Sequence, residues 1–198
     1  IMGAYEGLKL QDSCSGDDDT ETLLAAIKTG TERVADIVKS LNQFSRNTPS
    51  ISEKCNIHEI LDNSLIMLQS QLKDRIEVRK NYFNQSFVTF GNVGNLHQVF
   101  LNILSNAAQA INGKGRIDIK TQKKDDCLRI EISDTGHGIA KEEIIKITDP
   151  FYTTKDPGKG TGLGLSIAYT IVKEHNGSLE FESEVNKGTT VKITLPQS

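Results

Sequence analysis

Apolar residues between Thr20 and Arg46 fall at Leu23, Ile27, Gly30, Val34, Ile37, Leu41 and Phe44. The steps alternate four and three, with Gly30 the weak position. This spacing predicts a helix carrying a coiled-coil seam about three heptads long. Leu24 and Val38 widen the stripe, as a helix inside a bundle requires. One helix and the helical tail of Ile1–Leu10 cannot bury such a stripe. The expectation is a twofold dimer that completes a four-helix bundle. Between the two segments, Gln11–Thr20 is polar, and its three Asp residues fit a solvated turn, not the D-x-[DN]-x-[DN]-G calcium loop.

Asn47-Thr48-Pro49-Ser50 interrupts the pattern and divides the chain into residues 1–48 and 49–198. Beyond it, period-two and helical stretches alternate irregularly. Strands are expected at Ile51–Asn56, Arg75–Phe83 and Phe87–Phe90. Two more run through Ile117/Ile119 and Leu128/Ile130/Ile132, joined at Lys123–Asp126. A last hairpin pairs Leu179/Phe181 with Val191/Ile193/Leu195 around Asn186-Lys187-Gly188. Helices are expected over His58–Leu72, Asn92–Ile111, Lys141–Ile147 and Gly164–His175. This order is not strand-helix-strand throughout, so a doubly wound sheet is disfavoured. The economical architecture is α+β: a two-layer α/β sandwich with the helices on one face of a mostly antiparallel sheet.

Composition narrows the function classes. The 198 residues carry a net charge of −3 and show no basic stripe, which argues against a nucleic-acid partner. The apolar runs are too short for a membrane segment. The start, Ile1-Met2-Gly3, lacks the basic region of a signal peptide and reads as mid-protein. Cys14, Cys55 and Cys127 are odd in number and form no C-x-x-C pair, which fits a reducing, cytoplasmic setting.

Four segments carry candidate chemistry. Asn102 and Asn106 lie four apart, on one face of a predicted helix, where Asn is a poor helix former. They fit either a polar outer face or side-chain oxygens meeting a hard cation. Asp134-Thr135-Gly136-His137-Gly138-Ile139 follows a strand. It fits a tight turn or a carboxylate that accepts from an exocyclic amine. Phe151-Tyr152-Thr153-Thr154-Lys155 precedes Gly158, Gly160, Gly162 and Gly164, which run into a helix. That run fits a flexible loop or an anion cradle built from backbone N–H groups and a helix N-terminus. It is not a P-loop, because G-x-x-x-x-G-K-[ST] is absent.

Taken together and in this order, QVFLNILSNAAQAI, DTGHGI, PFYTTK and GTGLGL resemble the N, G1, F and G2 boxes of sensor histidine kinases. GTTVKITLP resembles the family's closing hairpin. The likeness covers about residues 50–196. RVADIVKSLNQFSR is similar to the second helix of the family's dimerisation hairpin, and FYTTK with NAAQA looks most like the nitrogen-regulator subgroup. The resemblance implies the GHKL ATP-binding fold shared with gyrase, Hsp90 and MutL. It implies ATP and Mg²⁺ as cofactors. Asp134 would bind the adenine amine, beside Gly136, Gly138 and Ile139. Asn106 would ligate Mg²⁺, with Asn102 assisting. Thr154, Lys155, Gly160, Thr161, Gly162, Leu163 and Gly164 would hold phosphates, in a lid from about Asp149 to Gly162. Thr189 would support adenine recognition through water. Asn102 and Lys155 would be the catalytic pair.

The sequence departs from the family pattern in two places. Ile147-Thr148-Asp149 stands before Pro150 where the family usually has an aromatic residue. The phosphoacceptor histidine is absent: His58, His97, His137 and His175 all fall within the nucleotide domain. Ile1–Tyr5 resembles the sequence just beyond an acceptor motif, so the chain reads as truncated there. Hydrolases of the superfamily place a Glu four residues before the Mg²⁺-binding Asn. Here that position is Asn102, which cannot act as a base. The expected activity is ATP-dependent protein histidine kinase: phosphoryl transfer to a hairpin histidine, then to an aspartate on a response-regulator receiver domain. The alternative is a degenerate ATP-binding dimerisation or scaffold module.

Overall fold

The computed structural model describes residues 20–21, 23–28, 30–31, 53–155 and 160–197. The chain divides into two compact units. One takes in Ile1–Asn47 and Thr153–Thr161; the other takes in Thr48–Tyr152 and Gly162–Ser198. In the first, the described residues between 20 and 31 are helical, and Leu23 and Ile27 are largely exposed. The rest of the heptad seam, Val34 to Phe44, lies outside the described residues.

The second unit is a helical layer on a five-stranded sheet. Its elements are β1 (Glu53–Asn56), α1 (Ile57–Met67), α2 (Gln69–Leu72), β2 (Ile76–Asn81), β3 (Val88–Gly91) and α3 (Val93–Ala110). They continue with β4 (Gly115–Lys124), β5 (Cys127–Asp134), α4 (Lys141–Ile144), α5 (Gly164–Glu174), β6 (Ser178–Glu184) and β7 (Gly188–Pro196). The sheet order is β2-β4-β5-β7-β6, antiparallel except for the parallel pair β2–β4. Strands β1 and β3 form a separate antiparallel pair.

Each element follows from its sequence. The Asn92 side chain accepts the Asn95 N–H at 2.9 Å and starts α3. Leu96, Val99, Phe100, Ile103, Leu104, Ala107 and Ala108 then bury one stripe of that helix. At its other end, Arg75 donates to the carbonyls of Ala108 and Ile111, which have no intrahelical partner. Alternation in β4, β5 and β7 presents Ile117, Ile119, Leu128, Ile130, Ile132, Val191, Ile193 and Leu195 to the same core.

The predicted helix over His58–Leu72 is broken at Leu68, whose N–H bonds back to the Ser64 carbonyl. The helix predicted over Lys141–Ile147 is a single turn followed by a turn region. His58 stacks between Tyr82 and Phe87, with ring centroids 4.4 and 4.9 Å away. Burial lowers its pKa, opposed by nearby Asp62.

His175 fastens the far ends of the two helices that reach the site. Its Nδ1 lies 2.7 Å from the Ile171 carbonyl, and its Nε2 accepts the Asn92 N–H at 3.1 Å. These partners assign the neutral tautomer, with the proton on Nδ1. A Cβ on Gly91 would sit 2.5 Å from this ring, so the position requires glycine.

Candidate functional site

One face of α3 organises the site. Asn102, Asn106 and Ala110 are spaced four apart and line up along that face. Asn102 Nδ2 donates to the Gly164 carbonyl at 2.9 Å, at the first residue of α5. Ala110 supports the loop after β5. Its carbonyl accepts the His137 N–H at 3.0 Å, and a Cβ on Gly136 would lie 2.7 Å from it. Half-buried Asn106 therefore stands one turn from the glycine segment on one side and one turn from the Asp134 loop on the other.

Asp134 closes β5 and is buried. Its Oδ1 accepts from the Gly136 N–H at 2.7 Å and from the Thr189 N–H at 3.3 Å. Burial raises its pKa; the two backbone donors and nearby His137 oppose that shift. Among the described residues, no partner takes Oδ2. A buried carboxylate with one oxygen held and the other open is suited to accept from a ligand N–H.

The loop after Asp134 is welded to the β6–β7 turn. Asn186 N–H donates to the His137 carbonyl at 2.7 Å, and Ile139 N–H to Ser183 Oγ at 2.8 Å. Gly138 has φ +70, and a Cβ there would fall 2.1 Å from the Glu184 carbonyl oxygen. A Cβ on Gly188 would come 1.9 Å from the Asp134 carbonyl oxygen. Close backbone packing, at Gly138 in the loop and at Gly188 in β7, thus dictates glycine at both places.

At the other end of the Asn102 face, Gly162 returns to Phe151, whose N–H donates to the Gly162 carbonyl at 3.0 Å. A Cβ on Gly162 would meet the Phe151 backbone at 2.4 Å. Phe151 itself has φ 69, a strained value for an aromatic residue, and its side chain is exposed. Leu163 is buried and precedes α5, where no side chain caps the helix among the described residues. The start of α5 carries the positive end of its helix dipole.

The structure thus gathers Asn102, Asn106, Asp134, Gly136, Gly138, Ile139, Gly162, Leu163, Gly164 and Thr189 in one unit. Thr154, Lys155, Gly160 and Thr161 belong to the other. There the Lys155 N–H donates to Thr153 Oγ1 at 3.2 Å, and Gly160 packs closely against Thr153 and Lys155. Sequence reasoning missed Ser183. The available signal was its place opposite Thr189 across the Asn186–Gly188 turn, on the same face of the hairpin.

Comparison with known proteins agrees with this arrangement. Residues 91–198 match the family described as histidine kinase-, DNA gyrase B-, and HSP90-like ATPase. The chain belongs to that family. Its relatives include the sensor kinase CckA of Brucella abortus, 33% identical over 186 residues, covering 86% of this chain and 20% of CckA. The sensory histidine kinase/phosphatase NtrB of Rhizobium leguminosarum is 29% identical over 197 residues, covering 91% of this chain and 51% of NtrB. The chain therefore spans about a fifth to a half of these curated relatives. Among solved structures, the mycobacterial sensor histidine kinase MprB superposes with a TM-score of 0.67 at 27% identity. That match covers 73% of this chain and 97% of the MprB chain. The fold and the family expected from the four sequence boxes are both borne out. No helix among the described residues is long and apolar enough to cross a membrane.

Proposed function

We propose that this chain is the ATP-binding catalytic core of a sensor histidine kinase of the nitrogen-regulator type. It would transfer the γ-phosphoryl group of ATP to a histidine on the helical hairpin, for relay to an aspartate on a response-regulator receiver domain. The observation that carries this reading is the Asn102–Asn106–Ala110 face of α3. It joins the Asp134 loop to the start of α5, the two places where a nucleotide needs a base acceptor and a phosphate cradle.

Asp134 Oδ2 accepts the adenine amine, while Gly136, Gly138 and Ile139 form the floor on which the base lies. Asn106 is the ligand for Mg²⁺ and Asn102 its support; half-buried amide oxygens suit a hard cation. When bound, Mg²⁺ neutralises charge on the phosphates. Lys155 and Thr154 supply a charge and a hydroxyl for phosphates, and Gly160–Gly164 supplies backbone N–H groups. Asn102 spends its amide donor on Gly164 and supplies no base, so water is not activated and ATP is kept for the histidine. The exposed Leu23 and Ile27 belong to the seam that a second copy covers, giving the homodimer.

The test supplies the missing group. This chain is mixed with a separate helical hairpin carrying the phosphoacceptor histidine and with ATP labelled at the γ position. The expected product is acid-labile phosphohistidine on the hairpin, followed by transfer to a receiver domain. ATP binding without any phosphohistidine would overturn the kinase reading in favour of an ATP-gated scaffold.

A further inference from the structure

We infer that Ser183 is the specificity-determining residue that makes the base pocket choose a 6-amino purine over a 6-oxo purine. It does so by fixing the hydroxyl direction of Thr189. This inference rests on the reading of Asp134 as the base acceptor.

The assignment follows from counting donors. Ser183 Oγ has three neighbours: the Ile139 N–H at 2.8 Å, the Gly188 carbonyl at 3.0 Å and Thr189 Oγ1 at 2.9 Å. A serine hydroxyl has one proton to give and two lone pairs to accept with. The Ile139 N–H can only donate, so Ser183 accepts there. The Gly188 carbonyl can only accept, so Ser183 gives its single proton there. The contact with Thr189 is then settled: Thr189 must donate to Ser183. Thr189 is buried, and its own N–H is committed to Asp134 Oδ1.

The consequence is a pocket wall with one polarity. Thr189 Oγ1 has no proton left for a ligand and presents only lone pairs. Asp134, whose Oδ1 accepts the Thr189 N–H, is also an acceptor. Two acceptors together welcome the amino group of adenine and repel the carbonyl of hypoxanthine or guanine. Without Ser183, the Thr189 hydroxyl turns freely and can donate to a 6-oxo group. Ser183 also holds Ile139, so one oxygen fastens the loop after β5 to the hairpin that carries Thr189.

The test compares dissociation constants for ADP and IDP, whose bases differ at C6 (amino against oxo) and in the proton that the oxo form carries on N1, on the 198-residue chain by calorimetry. The unmodified chain is expected to prefer ADP. Ser183→Ala is expected to lower the ADP:IDP preference about three- to tenfold, the effect of one neutral hydrogen bond. Ser183→Thr, which keeps a hydroxyl, should restore it. A merely structural serine would weaken both nucleotides alike and leave the ratio unchanged; that result would overturn the inference. If Ser183→Ala does not fold, Thr189→Val, similar in shape without the hydroxyl, reads the same ratio, and an unchanged ratio there overturns it equally. Asp134→Asn separates the two levels. If it leaves ADP affinity intact, the base-pocket reading itself fails. If it abolishes ADP binding while Ser183→Ala leaves the ratio intact, only the Ser183 inference fails.

Discussion

Three glycines separate the two reasons a position can demand glycine. Gly113 has φ +79, and a Cβ there would meet nothing within 4 Å. Gly136 has no such φ, but a Cβ would press on Ala110 at 2.7 Å. Gly138 combines φ +70 with a contact of 2.1 Å to the Glu184 carbonyl. Placing Ala in the left-handed region costs about 1–2 kcal/mol. Overpacking against fixed backbone costs about 1–3 kcal/mol. Gly113→Ala should therefore lose about 1–2 kcal/mol, Gly136→Ala about 1–3, and Gly138→Ala the sum, about 2–5. For a unit of this size each kcal/mol moves the melting temperature by about 2–4 °C. Urea unfolding followed by circular dichroism gives all three values on one scale. The clash at Gly138 lies against the β6–β7 turn, so Gly138→Ala should also weaken nucleotide binding. Gly113→Ala should not. A Gly138→Ala variant no less stable than Gly113→Ala would refute the steric argument, and with it the claim that the Asp134 loop is welded to the hairpin.

Two further outcomes follow from named contacts. Burial lowers the His58 pKa, so the folded state binds fewer protons there than the unfolded chain. Its contribution to stability is present above the unfolded pKa near 6.5 and lost as pH falls through the folded value. His58→Gln should flatten stability against pH below about 6.5; an unchanged profile in denaturant titrations would show that His58 is not the group responsible. Asn106→Ala should raise the Mg²⁺ concentration needed for half-maximal ATP binding by at least about 10–100-fold, the cost of losing even an outer partner of a metal. Equal Mg²⁺ dependence in a fluorescent-nucleotide titration would remove Asn106 from the metal site.

Much of this fold is legible because its periodicities are clean. The α3 stripe and the alternation in β4, β5 and β7 announce themselves, and Asn92 and Asn56 mark helix starts with side chains that cap them. The break at Leu68 is invisible because Leu68 and Leu72 are both buried and preserve the helical spacing across it. The pairing of β1 with β3 is invisible because period two states that a strand exists, not which strand it meets. Around α4, Ile145 is exposed and Ile147 buried, so apolar content overstated the helix. In the site, Asp134 and the asparagine pair stand out because carboxylate and amide side chains are unusual in those settings. Ser183 does not, since a serine on a strand looks like ordinary surface. Its role exists only once the hairpin register puts it opposite Thr189.

The sheet order has a bearing on how the protein is made. β5 lies between β4, its neighbour in sequence, and β7, which leaves the ribosome some sixty residues after β5. Until β7 docks, Asp134 lacks its Thr189 donor and its loop lacks the hairpin that supports it. α3 and β5 can both be translated and collapsed while the Asp134 loop still lacks its support from the β6–β7 hairpin. On the proposed reading of Asp134 as the base acceptor, a nascent chain engages nucleotide only after β7 has joined the sheet. ATP binding would then report a finished domain, and a frameshift or stop codon upstream of β7 would yield a product silent towards nucleotide.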